Sequence, residues 1–209
     1  MSESQWQQNI EKLNSTPELH LFQVGPSGIL FGGDIELSKG PEDEFEATIK
    51  SVKPGIWHVA ITREKGENSP FPEFKHAIAR WVAPGTLNVA ALSAPFPEPN
   101  LSPLSDWKKV DSYSVDSGCH GIIDKDGLQA KIEEEGEDRE YVLETVADLS
   151  HEDKVSAEIG FIIGGDDGGY RIWVREHEGK RVEVKVQPNY EEDDAEDGEE
   201  EEEADEDDE

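Results

Sequence analysis

The chain has one cysteine and one methionine in 209 residues, and only 19 Lys and Arg against 50 Asp and Glu. A single cysteine excludes an internal disulfide framework and agrees with a reducing, cytoplasmic setting. No apolar run approaches the roughly 18 residues that a membrane span needs. The polar stretch Met1 to Asn9 lacks the basic flank and apolar core of a secretory leader. Basic runs no longer than pairs such as Lys108-Lys109 leave no stripe to release counterions from a phosphate backbone. Nucleic acid and membrane are therefore not expected partners. The six histidines show no zinc spacing with the cysteine, and no phosphate loop or dinucleotide fingerprint occurs, so neither a metal nor a cofactor is expected.

What the chain has in excess is acid. The formal charge is -31, and 16 of the last 19 residues, Glu191 to Glu209, are Asp or Glu, broken only by Ala195, Gly198 and Ala204. A segment with no apolar residue larger than alanine cannot offset the entropy of ordering it, so residues 191–209 are expected to be a disordered acidic tail. The rest of the chain is acidic too, which makes a basic protein the natural electrostatic partner. Ahead of the body, Trp6, Ile10 and Leu13 share one helical face that Asn14-Ser15-Thr16-Pro17 stops, predicting an N-terminal helix within residues 1–18.

Residues 19–190 read as one β-rich domain. Period-two stretches at His20 to Val24, Gly28 to Phe31, Phe45 to Val52 and Gly55 to Arg63 are separated by Gly25-Pro26-Ser27-Gly28 and Lys53-Pro54-Gly55, which read as strand pairs joined by turns. Ala77 to Val82 and Leu87 to Leu92 form a further pair around Pro84-Gly85. Tyr113 to Val115, Cys119 to Asp124, Ala157 to Ile163, Tyr170 to Glu176 and Arg181 to Val186 complete the strands. Gly127 to Glu134 and Glu140 to Leu149 carry helical periodicity instead. The fold class expected is mainly β: an antiparallel sandwich or open barrel with minor helices. Trp57, Trp81 and Trp173 are expected as core filling.

Four landmarks occur in order: Ser27-Gly28 followed by Asp34, Pro54-Gly55-Ile56-Trp57, Val115-Asp116-Ser117-Gly118, and Asp167-Gly168-Gly169-Tyr170. Over about residues 20–187 they resemble the mostly bacterial family catalogued as "domain of unknown function 4241". The family implies a fold and shared positions, not a reaction. The chain departs from it at Asp166, where a glycine is expected, and at Cys119-His120, and the acidic tail lies outside the resemblance.

The candidate site residues cluster around the third and fourth landmarks: Asp116, Cys119, His120 and Asp167. An aspartic protease needs two hydrophobic-Asp-Ser/Thr-Gly aspartates sharing a proton, and only Asp116 is present. The competing reading makes Asp116 a turn residue whose carboxylate holds backbone amides. Adjacent side chains on a strand point to opposite faces, so Cys119 and His120 form no thiolate–imidazolium pair, and a hydrolase would need another histidine such as His58, His76 or His151. Asp124 to Glu135 has the ends of a calcium loop, but Leu128 and Gln129 stand where an oxygen ligand and a glycine are needed; a turn leading into a helix explains the same residues. The function expected is a non-enzymatic, tail-assisted interaction protein, immunity-like or chaperone-like, that binds a basic protein. The alternative is a hydrolase around Asp116.

Overall fold

The structure is a computed structural model that describes residues 18–38, 44–65, 72–86, 101–150 and 159–189. Alternation of apolar and polar side chains dominates these residues, and it builds ten strands. Six of them, β1 (Glu18–Val24), β4 (Gly55–Lys65), β5 (Pro72–Ala83), β6 (Lys108–Val115), β9 (Gly168–His177) and β10 (Lys180–Pro188), form one sheet in the order β1-β4-β5-β10-β9-β6. The others, β2 (Leu30–Asp34), β3 (Glu46–Ile49), β7 (Cys119–Asp124) and β8 (Gly160–Gly164), form a second sheet in the order β3-β2-β7-β8. All the strand pairs within the sheets are antiparallel. The two sheets face each other as a sandwich, and two helices, α1 (Lys125–Glu135) and α2 (Arg139–Ser150), cover the outer face of the smaller sheet.

Phe22, Trp57, Val59, Ile122, Phe161 and Ile172 meet between the sheets, each fully buried or nearly so. Each contributes roughly 1.5–3 kcal/mol relative to exposure. On β4, Trp57, Val59 and Ile61 point inward, as their alternation predicts. A second cluster fills the space between the smaller sheet and the helices: Ile35, Cys119, Ile123, Leu128, Val142 and Ile162 are among its members. Strand β7 is buried along its whole length because it faces both clusters.

Four turns between consecutive strands are corners between the sheets. β1 pairs with β4 while β2 pairs with β3 and β7, so the Gly25–Gly28 turn carries the chain from one sheet to the other. Lys53-Pro54-Gly55 does the same between β3 and β4, Asp116-Ser117-Gly118 between β6 and β7, and Gly165-Asp166-Asp167 between β8 and β9. At the second corner the indole N–H of Trp57 donates to the Lys53 carbonyl and that of Trp81 to the Pro54 carbonyl, both at 2.9 Å. Gly55 sits there at φ 132, and a Cβ on it would stand 2.3 Å from the Ala83 carbonyl oxygen. The landmark glycine is thus fixed by a close backbone approach.

Trp173 departs from expectation. Its neighbours Ile172 and Val174 point into the core, so strand alternation turns Trp173 to the outer face of the larger sheet. α1 and α2 run one or two residues beyond the expected helices at their N-termini. The N-terminal helix, the Leu87 to Leu92 strand, His151 and the acidic tail lie outside the described residues.

Candidate functional site

The corner at Asp116-Ser117-Gly118 is organised around a different aspartate. Asp34, at the end of β2, is fully buried. One carboxylate oxygen accepts the backbone N–H groups of Asp116 (2.9 Å) and Ser117 (3.0 Å). The other accepts from the Ser117 hydroxyl (2.7 Å) and from the N–H groups of Glu36 and Leu37 (3.1 and 3.0 Å). Five donors exceed the roughly four lone-pair directions that a carboxylate offers. Burial works against the charge, but the hydrogen bonds from Asp116, Ser117 and Leu37 outweigh it and hold this carboxyl below its usual range. Asp34 is an ionised structural anion whose two oxygens are taken up by the corner and by the segment after β2.

Asp116 is exposed and contributes its backbone N–H, not its carboxylate. The expectation that its side chain holds backbone amides is corrected: the holding carboxylate belongs to Asp34. Asp167 is also exposed, and Val115 pairs with Gly168, so both aspartates flank the same strand ends. Cys119 points toward the helices, 1 % exposed among Ile35, Ile123 and Leu128. Its N–H donates to the Ser117 hydroxyl oxygen. His120 points the other way, into the sandwich.

His120 sits in a ring of aromatics: its centroid lies 4.0 Å from that of Tyr170, 5.3 Å from Phe74 and 5.9 Å from Tyr113. Its Nδ1 shares a hydrogen bond of 2.8 Å with the Tyr113 hydroxyl. Its Nε2 is buried without a hydrogen-bond partner among the described residues, and a Cβ at Gly165 would stand 2.9 Å from it. Burial, aided by the Arg63 charge, lowers its pKa to about 3, so the imidazole stays neutral. The Tyr113 hydroxyl is pushed well above its usual range, first by burial. The imidazole and the phenol of this buried pair are therefore both neutral.

Asp124 performs a parallel task at the Gly25–Gly28 corner. It accepts from Gly25 N–H at 3.0 Å and from Gly127 N–H at 2.8 Å, so one carboxylate ties the corner and caps α1. Helix α1 occupies the whole of Lys125–Glu135, and the calcium-loop reading of this stretch fails for that reason. Among the described residues no group of three or more His, Cys, Asp and Glu is placed to hold a metal ion.

Two surfaces of the described residues gather charged side chains. On the helical side, eight carboxylates lie between Lys125 and Ala147 against three basic side chains. Of those three, Lys131 pairs with Glu134 and Arg139 with the buried Glu46. There the start of α2 and the segment after β2 enclose an open cleft of about 480 Å³, lined by Glu36, Leu37, Ser38, Asp138, Arg139 and Glu140. Leu37 and Tyr141, 39 % and 50 % exposed, are the exposed large hydrophobic side chains of the described residues; Leu37 lines this cleft, and Tyr141 follows its lining residue Glu140 on α2.

The outer face of the larger sheet sets Arg80, Lys185 and Arg175 on neighbouring strands. His58 of β4 is in register with Arg80, Arg80 with Glu183, and Glu183 with Arg175. In the next row Ile78, Lys185, Trp173 and Lys109 follow one another. His58 therefore belongs to a groove of about 390 Å³ with Arg80 and Arg175, away from Asp116 and Asp167. His76 lies on this face as well, its pKa lowered by burial and then by the Lys185 charge.

Comparison with known proteins gives no assignment: no family model, no curated protein and no solved structure matches the chain. Sequence reasoning missed Asp34 as a site residue, although an aspartate ending a strand two and three residues before the N–H groups it accepts is a recognisable turn signal. It also missed Leu37, Tyr141 and the grouping of Arg80, Lys185 and Arg175 on the larger sheet.

Proposed function

We propose that this chain is a non-enzymatic interaction protein that binds a basic protein partner at the acidic cleft beside α2. The observation that carries the proposal is an exposed apolar side chain, Leu37, in the lining of a cleft with Glu36, Asp138 and Glu140, and a second, Tyr141, next to that lining on α2. Apolar anchors supply affinity at the centre of an interface, and charges around them supply encounter rate and register. A segment rich in Lys and Arg with one or two apolar side chains fits both. The acidic tail adds long-range attraction for the same partner. Membership of the family of unknown function resembled above is part of this proposal and rests on the order of the four landmarks. Each of the four landmarks includes part of a corner between the sheets.

The hydrolase alternative centred on Asp116 draws no support from the site. Asp116 is exposed, Cys119 and His120 face opposite clusters, and the Asp34 carboxylate is taken up by five hydrogen bonds. The test is a residue-resolved NMR titration of the full chain with a lysine-rich peptide bearing a leucine and an aromatic residue. Shifts centred on Leu37, Asp138 and Tyr141 are expected. Shifts confined to the tail would overturn docking at the cleft.

A further inference from the structure

β4, β5, β10 and β9 lie side by side, and their register sets His58, Arg80, Glu183 and Arg175 in one row across the larger sheet. A buried carboxylate is costly unless it is paired, and Glu183 is paired on both sides. Arg80 Nε stands 2.7 Å from one of its oxygens and Arg175 Nη1 3.2 Å from the other. Residues 101–105 cross this face and are fastened to β9 through Ser105. The Ser105 N–H donates to the Glu176 carbonyl at 3.0 Å, and its hydroxyl oxygen accepts the Glu176 N–H at 2.8 Å. Its carbonyl accepts from Arg175 Nε at 2.8 Å. The groove of about 390 Å³ lies between this crossing and the sheet, with Leu101 and Leu104 lining it from the crossing and His58, Arg80, Val82 and Glu183 from the strands.

We infer that this groove is a binding site for a small monocarboxylic acid with an apolar body, and that Arg80 recognises its carboxylate. Glu183 holds Arg80 through Nε and so orients the guanidinium plane. Among the described residues no hydrogen bond or ion pair engages Arg80 Nη1 and Nη2, and the side chain is 49 % exposed. A planar pair of N–H donors matches the two oxygens of a carboxylate. Arg175 already spends Nε on Ser105 and Nη1 on Glu183, so it adds charge and no second fork. Two guanidiniums against one carboxylate leave a single positive charge in the row, which suits a monoanion better than a dianion. Leu101, Leu104 and Val82 give the hydrocarbon part of the acid an apolar wall. The volume falls at the lower end of the roughly 300–1,000 Å³ of small-molecule sites, which favours a compact ligand.

This site takes an anion on the outer face of the larger sheet, whereas the cleft beside α2 takes a basic segment on the helical side. The two share no lining residue, so the failure of either leaves the other standing.

The test is a titration of the full chain with benzoate and with hexanoate, read from backbone amide chemical shifts. Acetate, inorganic phosphate and benzyl alcohol serve as comparison probes. Saturable shifts at Arg80, Val82, Leu101 and Leu104 are expected for both acids, with a dissociation constant below about 5 mM and each comparison probe at least about five-fold weaker. Arg80→Lys keeps a cation beside Glu183 but loses the planar fork. It should weaken both acids at least about five-fold, while its thermal unfolding reports that it is folded. The absence of saturable shifts with both acids, or an affinity unchanged in Arg80→Lys, overturns the inference. Equal binding of acetate or phosphate overturns it by reducing the groove to a simple anion site. Equal binding of benzyl alcohol does so by leaving the arginine without a role.

Discussion

The carboxylate of Asp34 accepts the backbone N–H of Asp116 at 2.9 Å across 82 residues of sequence. The corner that carries the Asp-Ser-Gly triplet is thereby held by an aspartate outside it. The two aspartates should respond differently to substitution. Asp34→Ala removes the acceptor of five hydrogen bonds and strands buried donors, at a cost on the order of 3–5 kcal/mol. Asp116→Ala keeps its N–H and costs less than about 0.5 kcal/mol. Chemical denaturation midpoints of the two variants measure the difference, and similar losses would refute the assignment.

The buried His120 makes stability fall in acid. Its folded pKa of about 3 lies below the unfolded value of 6.5, so the unfolded chain binds the extra proton between these limits. Stability is therefore full above pH 6.5 and is lost as the pH falls toward 3. Asp34 adds to the loss below pH 3.8, its carboxyl being held down in the fold. Asp124 acts in the opposite sense: burial raises its carboxyl to about 6, so its ionisation costs stability as the pH rises from 3.8 to 6. Replacing both partners of the buried pair, Tyr113→Phe with His120→Phe, removes the histidine contribution without orphaning a hydroxyl. Unfolding free energies from pH 7 to pH 4 should fall less steeply in this double variant than in the parent, while His120→Phe alone should cost more at pH 7.

Helix α2 is fastened to β3 by Arg139, whose guanidinium pairs with the buried carboxylate of Glu46, to which the Ser38 hydroxyl also donates. Arg139→Ala leaves a buried charge with one fewer partner and should cost roughly 2–4 kcal/mol. Arg139→Ala combined with Glu46→Ala should cost less than the two single changes added together. A double-mutant cycle in denaturant measures that coupling, and strict additivity would show that the pair is energetically silent.

The strands were legible because each alternates within its own few residues: Trp57, Val59 and Ile61 announce their face without reference to any distant segment. Their pairing was less legible. A Gly-Pro or Pro-Gly turn bends the chain alike in a hairpin and in a corner between sheets, and only the register of β1 with β4 and of β2 with β7 tells which. The Asp-Ser-Gly triplet marked the right corner but suggested the wrong carboxylate, since burial of Asp34 depends on a contact 82 residues away. The grouping of Arg80 with Lys185 was illegible for a related reason. Arg80 and Lys185 become neighbours through the pairing of β5 with β10, so local charge counts average them into an acidic chain.

The central claim is that the acidic cleft, anchored by Leu37 and Tyr141, binds a basic partner. Calorimetric titration of the full chain with the lysine-rich peptide tests it most directly when repeated on Leu37→Ser with Tyr141→Ser, two exposed positions whose loss leaves the core intact. At roughly 1 kcal/mol or more for each anchor, the account predicts an affinity at least about ten-fold weaker in the double variant. An unchanged affinity, with binding abolished only by salt, would contradict it.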